Sequence, residues 1–228
     1  AILRPGEDNA FLRDFKRFQA TIARLGMLNS LAQTLLKIGS PGVTDVYQGA
    51  ELWDLSLVDP DNRRPVDYAR RRRVLADLIR EEPQQGRAAL ATRLLERWKD
   101  GAIKLFLLRA GLRFRRAHAP LFLGGDYLPI AVEGRDPARC VAFVRRLGAS
   151  WALIAVPRLI GPRAERGMPV GSAWQGHALR LPDGAPAAWR SVLTDTPLMA
   201  EPGGALPLPG MFERLPVALL AAEGMPLE

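Results

Sequence analysis

The hydrophobic period changes near Ala117, and that change constrains the fold more than any single motif. Upstream, apolar residues recur at intervals of three and four: Phe11, Phe15, Phe18, Ile22 and Leu25, then Leu28, Leu31, Leu35 and Ile38. The spacing predicts a long helix over 10–38 with one buried stripe. Asp8 or Asn9 caps it, Gly26 bends or splits it, and Gly39 with Pro41 stops it. A second helix opens at Pro65 and Asp67, turns Tyr68, Leu75, Leu78 and Ile79 inward, and closes at Glu81-Glu82-Pro83. Residues 86–98 read as an amphipathic helix, and 103–114 as a deeply packed one.

Downstream, short segments alternate in polarity between Gly and Pro. Residues 140–147 and 151–156, separated by Gly148-Ala149, form a hairpin pattern. Further strands are expected over 121–123, 128–132, 177–181, 189–193 and 217–221, with a proline-rich spacer over 197–209. The expected organisation is 1–116, mostly helical, followed by a small antiparallel β-sandwich over 117–228. Val43 to Tyr47 reads as a short buried strand, so the first half has the helix, strand, loop, helix rhythm of an α/β unit. The fold class is α/β plus all-β. In α/β units binding groups gather on loops at the carboxyl ends of strands, the place that 48–65 occupies.

That loop belongs to the stretch PGVTDVYQGAELWDLSLVDPDNRRPVD, residues 41–67. It gathers Asp45, Glu51, Asp54, Asp59, Asp61, Asn62, Arg63, Arg64 and Asp67 around Tyr47 and Trp53. Carboxylates and arginine forks hydrogen-bond adjacent hydroxyls, and an aromatic face stacks on a sugar ring. The composition therefore suits a polyhydroxylated ligand, with a salt-bridged structural loop as the alternative. An acid–base pair inside the loop is disfavoured, because the two carboxyl groups must flank one glycosidic bond.

Other chemistries find less support. The charge of +8 and pI near 10.5 invite a nucleic-acid reading. Yet lysine is scarce, arginines are interspersed with acids, and Arg70 to Arg73 would spread around a helix at about 100° per residue. No nucleic-acid partner is expected. The single Cys140 excludes an intrachain disulfide and fits a buried strand position. His118 and His177 lie too far apart to read as a metal pair. Ser30 beside Asn29 has no neighbouring base, and neither a P-loop nor a G-x-S-x-G elbow is present. The N-terminus has no apolar signal-peptide core and no apolar run approaches the roughly 20 residues of a membrane span. A cytoplasmic chain without a membrane partner is expected, and its start on Ala reads as that of a fragment.

Tyr47-Gln48-Gly49-x-Glu51-Leu52 and Asp59-Pro60-Asp61-Asn62-Arg63-Arg64-Pro65 are specific in combination. Together with NSLAQTLLKIGSPGV (29–43), LRAGLRFRRAHAPLFLGGDY (108–127) and WRSVLT (189–194), they make the chain resemble the carboxyl-terminal part of the maltooligosyltrehalose synthases, within the α-amylase family of glycoside hydrolases. The resemblance covers essentially the whole chain; Thr44 departs from the proline expected after Gly42-Val43. It implies the carboxyl-terminal remnant of a (β/α)8 TIM barrel, with its eighth strand at Val43 to Tyr47, and then the β-sandwich. It also implies intramolecular transglucosylation, converting the reducing-end α-1,4 link of a maltooligosaccharide to an α,α-1,1 link without a cofactor. The family's catalytic carboxylates sit on earlier strands, so no catalytic residue is expected here and the isolated chain is expected to be inactive. The resemblance places Asp59, Asp61, Asn62, Arg63 and Arg64 at the sugar subsites near the reducing end, and Tyr47, Gln48, Glu51 and Trp53 complete the expected substrate-binding set. An α-amylase-type hydrolase, or a non-catalytic carbohydrate-binding or structural module, is the competing reading.

Overall fold

The computed structural model describes residues 2–6, 8–57, 59–161 and 167–228. The helices of the first half are α1 (Ala10–Gly39), α2 (Tyr68–Gln85), α3 (Arg87–Glu96), α4 (Ala102–Ala117) and α5 (Ala119–Gly124). Asn9 caps α1 by accepting a hydrogen bond from the Leu12 N–H at 2.9 Å. The helix runs unbroken through Gly26, whose missing side chain leaves open space on that side. The expected single buried stripe holds only from Met27 to Ile38, where α4 and β3 cover it. Phe11, Phe15, Phe18 and Ile22 remain 46–65% exposed.

Three local expectations are corrected. Val43 to Tyr47 forms no strand, and Val43 is 93% exposed. A strand exists only through ladder bonds to a neighbour, and among the described residues none pairs with this segment. Residues 121–123 belong to α5, whose Pro120 sits in the first turn where a missing N–H is harmless. Pro83 does not end α2, which continues to Gln85 and stops at Gly86 with φ +78°. So near the terminus, proline forfeits only one intrahelical bond.

The second half is antiparallel as expected, but its eight strands make one continuous sheet rather than two independent ones. They are β1 (Asp126–Glu133), β2 (Cys140–Leu147), β3 (Ser150–Pro157), β4 (Ala178–Arg180), β5 (Ala188–Ser191), β6 (Pro197–Met199), β7 (Ala205–Pro207) and β8 (Ala218–Ala222). Their order is β6-β5-β8-β3-β2-β1-β4-β7. The β2–β3 hairpin has the expected turn, with Leu147 opposite Ser150. β1 carries the sheet around a corner: Asp126 to Ile130 pair with β2, and Ala131 to Glu133 pair with β4. The stretch read as a spacer contains β6 and β7, the two edge strands, where Pro197 and Pro207 are tolerated. Between β7 and β8 lies a short helix, α6 (Leu208–Met211).

Helices and sheet share one buried cluster. β3 is buried from Trp151 to Pro157 because α1 covers one of its faces, so polarity alternation is lost there. The contact is close: a Cβ on Gly39 would sit 2.5 Å from Ile154 Cγ1. Two guanidiniums hold the carbonyls where α1 ends. Arg115 donates to the carbonyls of Ile38 (2.5 Å), Ser40 (2.9 Å) and Gly42. Arg145, on β2, donates to those of Gly39 (3.4 Å), Gly125 (2.7 Å) and Asp126 (3.1 Å). Cations suit the negative end of a helix, and here they fix the direction in which the chain leaves for the loop.

A second charged anchor joins α2, α3 and α4. Glu82 accepts from Arg87 Nε at 2.7 Å and pairs with Arg109. Burial pushes its carboxyl up, but hydrogen bonds from Arg87 and Arg109 and their charges outweigh that and leave it below the usual range. A depressed folded-state pKa contributes stability above the unfolded value and loses it as pH falls through the folded value. Glu82→Gln should therefore flatten the loss of stability as pH falls below the ordinary glutamate range, measured by urea unfolding at a series of acidic pH values. Parallel curves for the two proteins would refute the assignment.

Candidate functional site

The loop between α1 and α2 is held by two separate sets of contacts. The inner set fastens residues 48–54 to the helices. Leu52 is buried, and Gly101, at φ +83°, closes on it so tightly that a Cβ there would lie 3.1 Å from the Trp53 nitrogen. Trp53 Nε1 donates to the Trp98 carbonyl at 2.6 Å. Arg71 reaches back from α2 to pair with Glu51 at 2.8 Å, and donates to the Gly49 carbonyl and to that of Asp67 at 3.1 Å. The Tyr68 hydroxyl donates to Gln48 Oε1 at 3.1 Å. Asp67 is the α2 cap, accepting from the Arg70 N–H at 2.8 Å, and the Arg70 side chain donates to the Asp100 carbonyl at 3.1 Å. Two arginines of the basic run thus serve the loop.

The outer set is a self-contained turn around a 3-10 segment, Asp61–Arg63. Arg63 grips Asp59 with a fork, Nε to Oδ1 at 2.5 Å and Nη2 to Oδ2 at 2.8 Å. Asp61 pairs with Arg64 and accepts from the Leu57 N–H at 2.7 Å. Val58 lies outside the described residues. The side-chain oxygen of Asn62 is buried without a hydrogen-bond partner among the described residues. Tyr47 stands half exposed at the entry to the loop. The nine residues singled out by sequence therefore divide into an inner group (Gln48, Glu51, Trp53), an outer group (Asp59, Asp61, Asn62, Arg63, Arg64) and the free-standing Tyr47 ring.

Lys104 on α4 belongs to the inner set and was not anticipated. It is only 8% exposed, and its ammonium lies 6.0 Å from the Trp53 ring centre. Burial lowers its pKa and Lys37 adds to that, while Asp54 and Glu51 act in the opposite direction. A charged residue inside an apolar helical run was the available signal.

The carboxylates of the loop are not arranged to transfer protons. Asp54 accepts from the Ser56 hydroxyl (2.6 Å) and N–H (3.0 Å). Those bonds, and then the charges of Lys104 and Arg71, outweigh burial and hold its carboxyl below the usual range. A glycosidic general acid needs the opposite shift. Glu51, Asp59 and Asp61 are committed to arginines. Elsewhere, burial pushes the Cys140 thiol up to about 12, against a weaker lowering by its hydrogen bond with Val156, which removes it as a nucleophile. His118 accompanies Phe114 and the Pro226 carbonyl, and His177 the Gln175 carbonyl. A hollow of about 550 Å³ beside Glu82, Arg87 and Arg109, and one of about 940 Å³ beside Arg135, Arg139, Gln175 and His177, both lie away from the loop. Among the described residues no helix is long and apolar enough to cross a membrane.

Helices backed by an antiparallel sheet, with a clamped loop of paired charges and aromatic rings, define the module. In sequence and in fold the chain is similar to the carboxyl-terminal part of maltooligosyltrehalose synthases. Two curated proteins named maltooligosyl trehalose synthase, from the CDC 1551 and H37Rv strains of Mycobacterium tuberculosis, are 38% identical over 195 residues, 86% of the chain. The chain spans 20% of their length. The solved maltooligosyltrehalose synthase of Arthrobacter ramosus superposes with a TM-score of 0.68 at 30% identity, over 96% of this chain and 25% of that one. A glycosyltrehalose synthase, DSM5389, shares the fold with a TM-score of 0.59 at 24% identity, over 95% of this chain and 23% of that one. No family model matches the chain.

Proposed function

We propose that this chain forms one wall of the saccharide site of an enzyme that isomerises maltooligosaccharides, turning the reducing-end α-1,4 link into an α,α-1,1 link by intramolecular transglucosylation. The observation that carries the reading is the 38% identity to curated maltooligosyl trehalose synthases over 86% of the chain, which includes the clamped loop. In this reading Tyr47, Gln48, Glu51, Trp53 and the turn Asp59, Asp61, Asn62, Arg63, Arg64 shape the sugar subsites near the reducing end. Their role is positioning. The nucleophile and the acid/base belong to parts of the enzyme that this chain does not span, and the reaction needs carboxylates without a cofactor.

The reading also assigns residues 1–116 to the end of a (β/α)8 barrel and 117–228 to the domain that follows it, in a cytoplasmic enzyme. The unpaired Val43–Tyr47 segment and the exposed Phe11, Phe15, Phe18 and Ile22 support it, since a neighbouring strand and a helical layer would cover both. The isolated chain should show no turnover of maltopentaose, measured as loss of reducing ends. Clear turnover by it would falsify the fragment reading. In an enzyme containing the stretch, product analysis separates the competing hydrolase reading, because hydrolysis creates reducing ends and isomerisation removes them.

A further inference from the structure

The turn that opens the loop is held from behind and leaves its tip to solvent. The Ala50 N–H donates to the Tyr47 carbonyl at 3.0 Å, and the Gly49 carbonyl inside this turn accepts from Arg71. Gly49, at φ +92°, lies so close to Val66 that a Cβ there would be 3.3 Å from its Cγ2. The backbone of the turn is thereby seated against the residues that lead into α2, and Gln48 stands exposed on it. Tyr68, whose place in the apolar pattern pointed inward, is instead 47% exposed, and its hydroxyl donates to Gln48 Oε1 at 3.1 Å. That bond leaves two kinds of group free. The Gln48 carboxamide keeps both N–H donors, which reach no acceptor among the described residues, and the Tyr68 oxygen, its proton given away, keeps its lone pairs.

We infer that Tyr68 and Gln48 act as one donor–acceptor pair for a single sugar hydroxyl, which donates to Tyr68 Oη and accepts from Gln48 Nε2. The inference deepens the saccharide reading above by adding Tyr68 to the site, and it rests on that reading. The pair selects its ligand by hydrogen-bond type. A hydroxyl both donates and accepts at one oxygen, so it meets the two free groups together. A carboxylate brings no proton for the tyrosine oxygen, and an ammonium brings no lone pair for the carboxamide. Tyr68 stands three residues before Arg71, so one face of α2 carries both the clamp of the turn and this ring. With the backbone clamped and the carboxamide already held by the tyrosine, less side-chain freedom remains to be lost when a sugar binds.

The chain has three tyrosines, Tyr47, Tyr68 and Tyr127, so after fluorotyrosine labelling they can be followed individually by fluorine-19 NMR. Loss of a signal in Tyr68→Phe assigns the one of interest. Titrating the chain with maltotriose should move the Tyr68 signal saturably and leave that of Tyr127, on β1, in place. Calorimetry should show Tyr68→Phe binding maltotriose about fivefold more weakly, the loss of one neutral hydrogen bond, at an unchanged thermal midpoint because the ring is retained. Gln48→Ala should weaken binding as much, and the two substitutions together little more than either alone, because the hydroxyl needs both partners. Equal affinity in Tyr68→Phe and the parent, additive losses in the double variant, or a stationary Tyr68 signal while Tyr47 responds overturns the pair and leaves the saccharide reading intact. No response of any tyrosine and no heat of binding overturns the pair and counts against the saccharide reading as well. If Tyr68→Phe does not fold, the parent signals under maltotriose, assigned through Tyr47→Phe and Tyr127→Phe, decide the matter.

Discussion

Arg145→Met lowers the free energy of unfolding by about 3 kcal/mol. Arg145 is 1% exposed, in the middle of a β-strand, where a charge is the least expected residue. Its guanidinium is accommodated because it donates to the carbonyls of Gly39, Gly125 and Asp126, which come from the end of α1 and the α5–β1 junction. Methionine preserves much of the apolar contact of the stem but donates no hydrogen bond. Three carbonyls then lose their donor, at about 1 kcal/mol each. Urea unfolding measures the change, read as a shift in midpoint at constant slope. A loss below about 1 kcal/mol would mean that water or Arg115 can take over the three carbonyls.

The same residue shows why some of this fold is legible in sequence and some is not. α1, α4 and the β2–β3 hairpin are written in local pattern: a cap at Asn9, an apolar run after Gly101, alternation around Gly148. Each expectation needed only residues within one turn of helix or one hairpin. Arg145 was invisible because its three partners lie about 20 and more than 100 positions away. Whether a face is covered is equally non-local. Phe11 and Leu35 fit one helical stripe, yet the first is half exposed and the second fully buried, since only the second half of α1 meets α4 and β3. Edge strands were missed because prolines at 197 and 207 signal a spacer unless the sheet edge is known. In the loop, concentration of charge and aromatic rings revealed the nine candidates. It could not reveal that Arg71, 20 positions from Glu51, is their clamp, or that Lys104 comes up beneath Trp53.

This division into clamp and presented surface gives the second large effect a distinctive form. In an enzyme that contains the whole stretch, Arg63→Ala should reduce kcat/KM for maltopentaose more than tenfold while leaving the thermal midpoint nearly unchanged. Its fork to Asp59 is exposed, with 71% and 53% of the two side chains open to solvent, and exposed pairs contribute at most about 1 kcal/mol to stability. A loss of activity without loss of stability therefore reports contact with the sugar. Arg71→Ala should behave differently. Its side chain is mostly buried and joins Glu51, Gly49 and Asp67, so its removal frees the inner loop and lowers stability by about 1–2 kcal/mol together with activity. If Arg63→Ala stays within about twofold of the parent enzyme, an effect of under 0.5 kcal/mol, the outer turn does not touch substrate. The loop would then bind through its inner group alone, and Asp59, Asp61, Arg63 and Arg64 would be a salt-bridged turn that shapes the surface without contacting sugar.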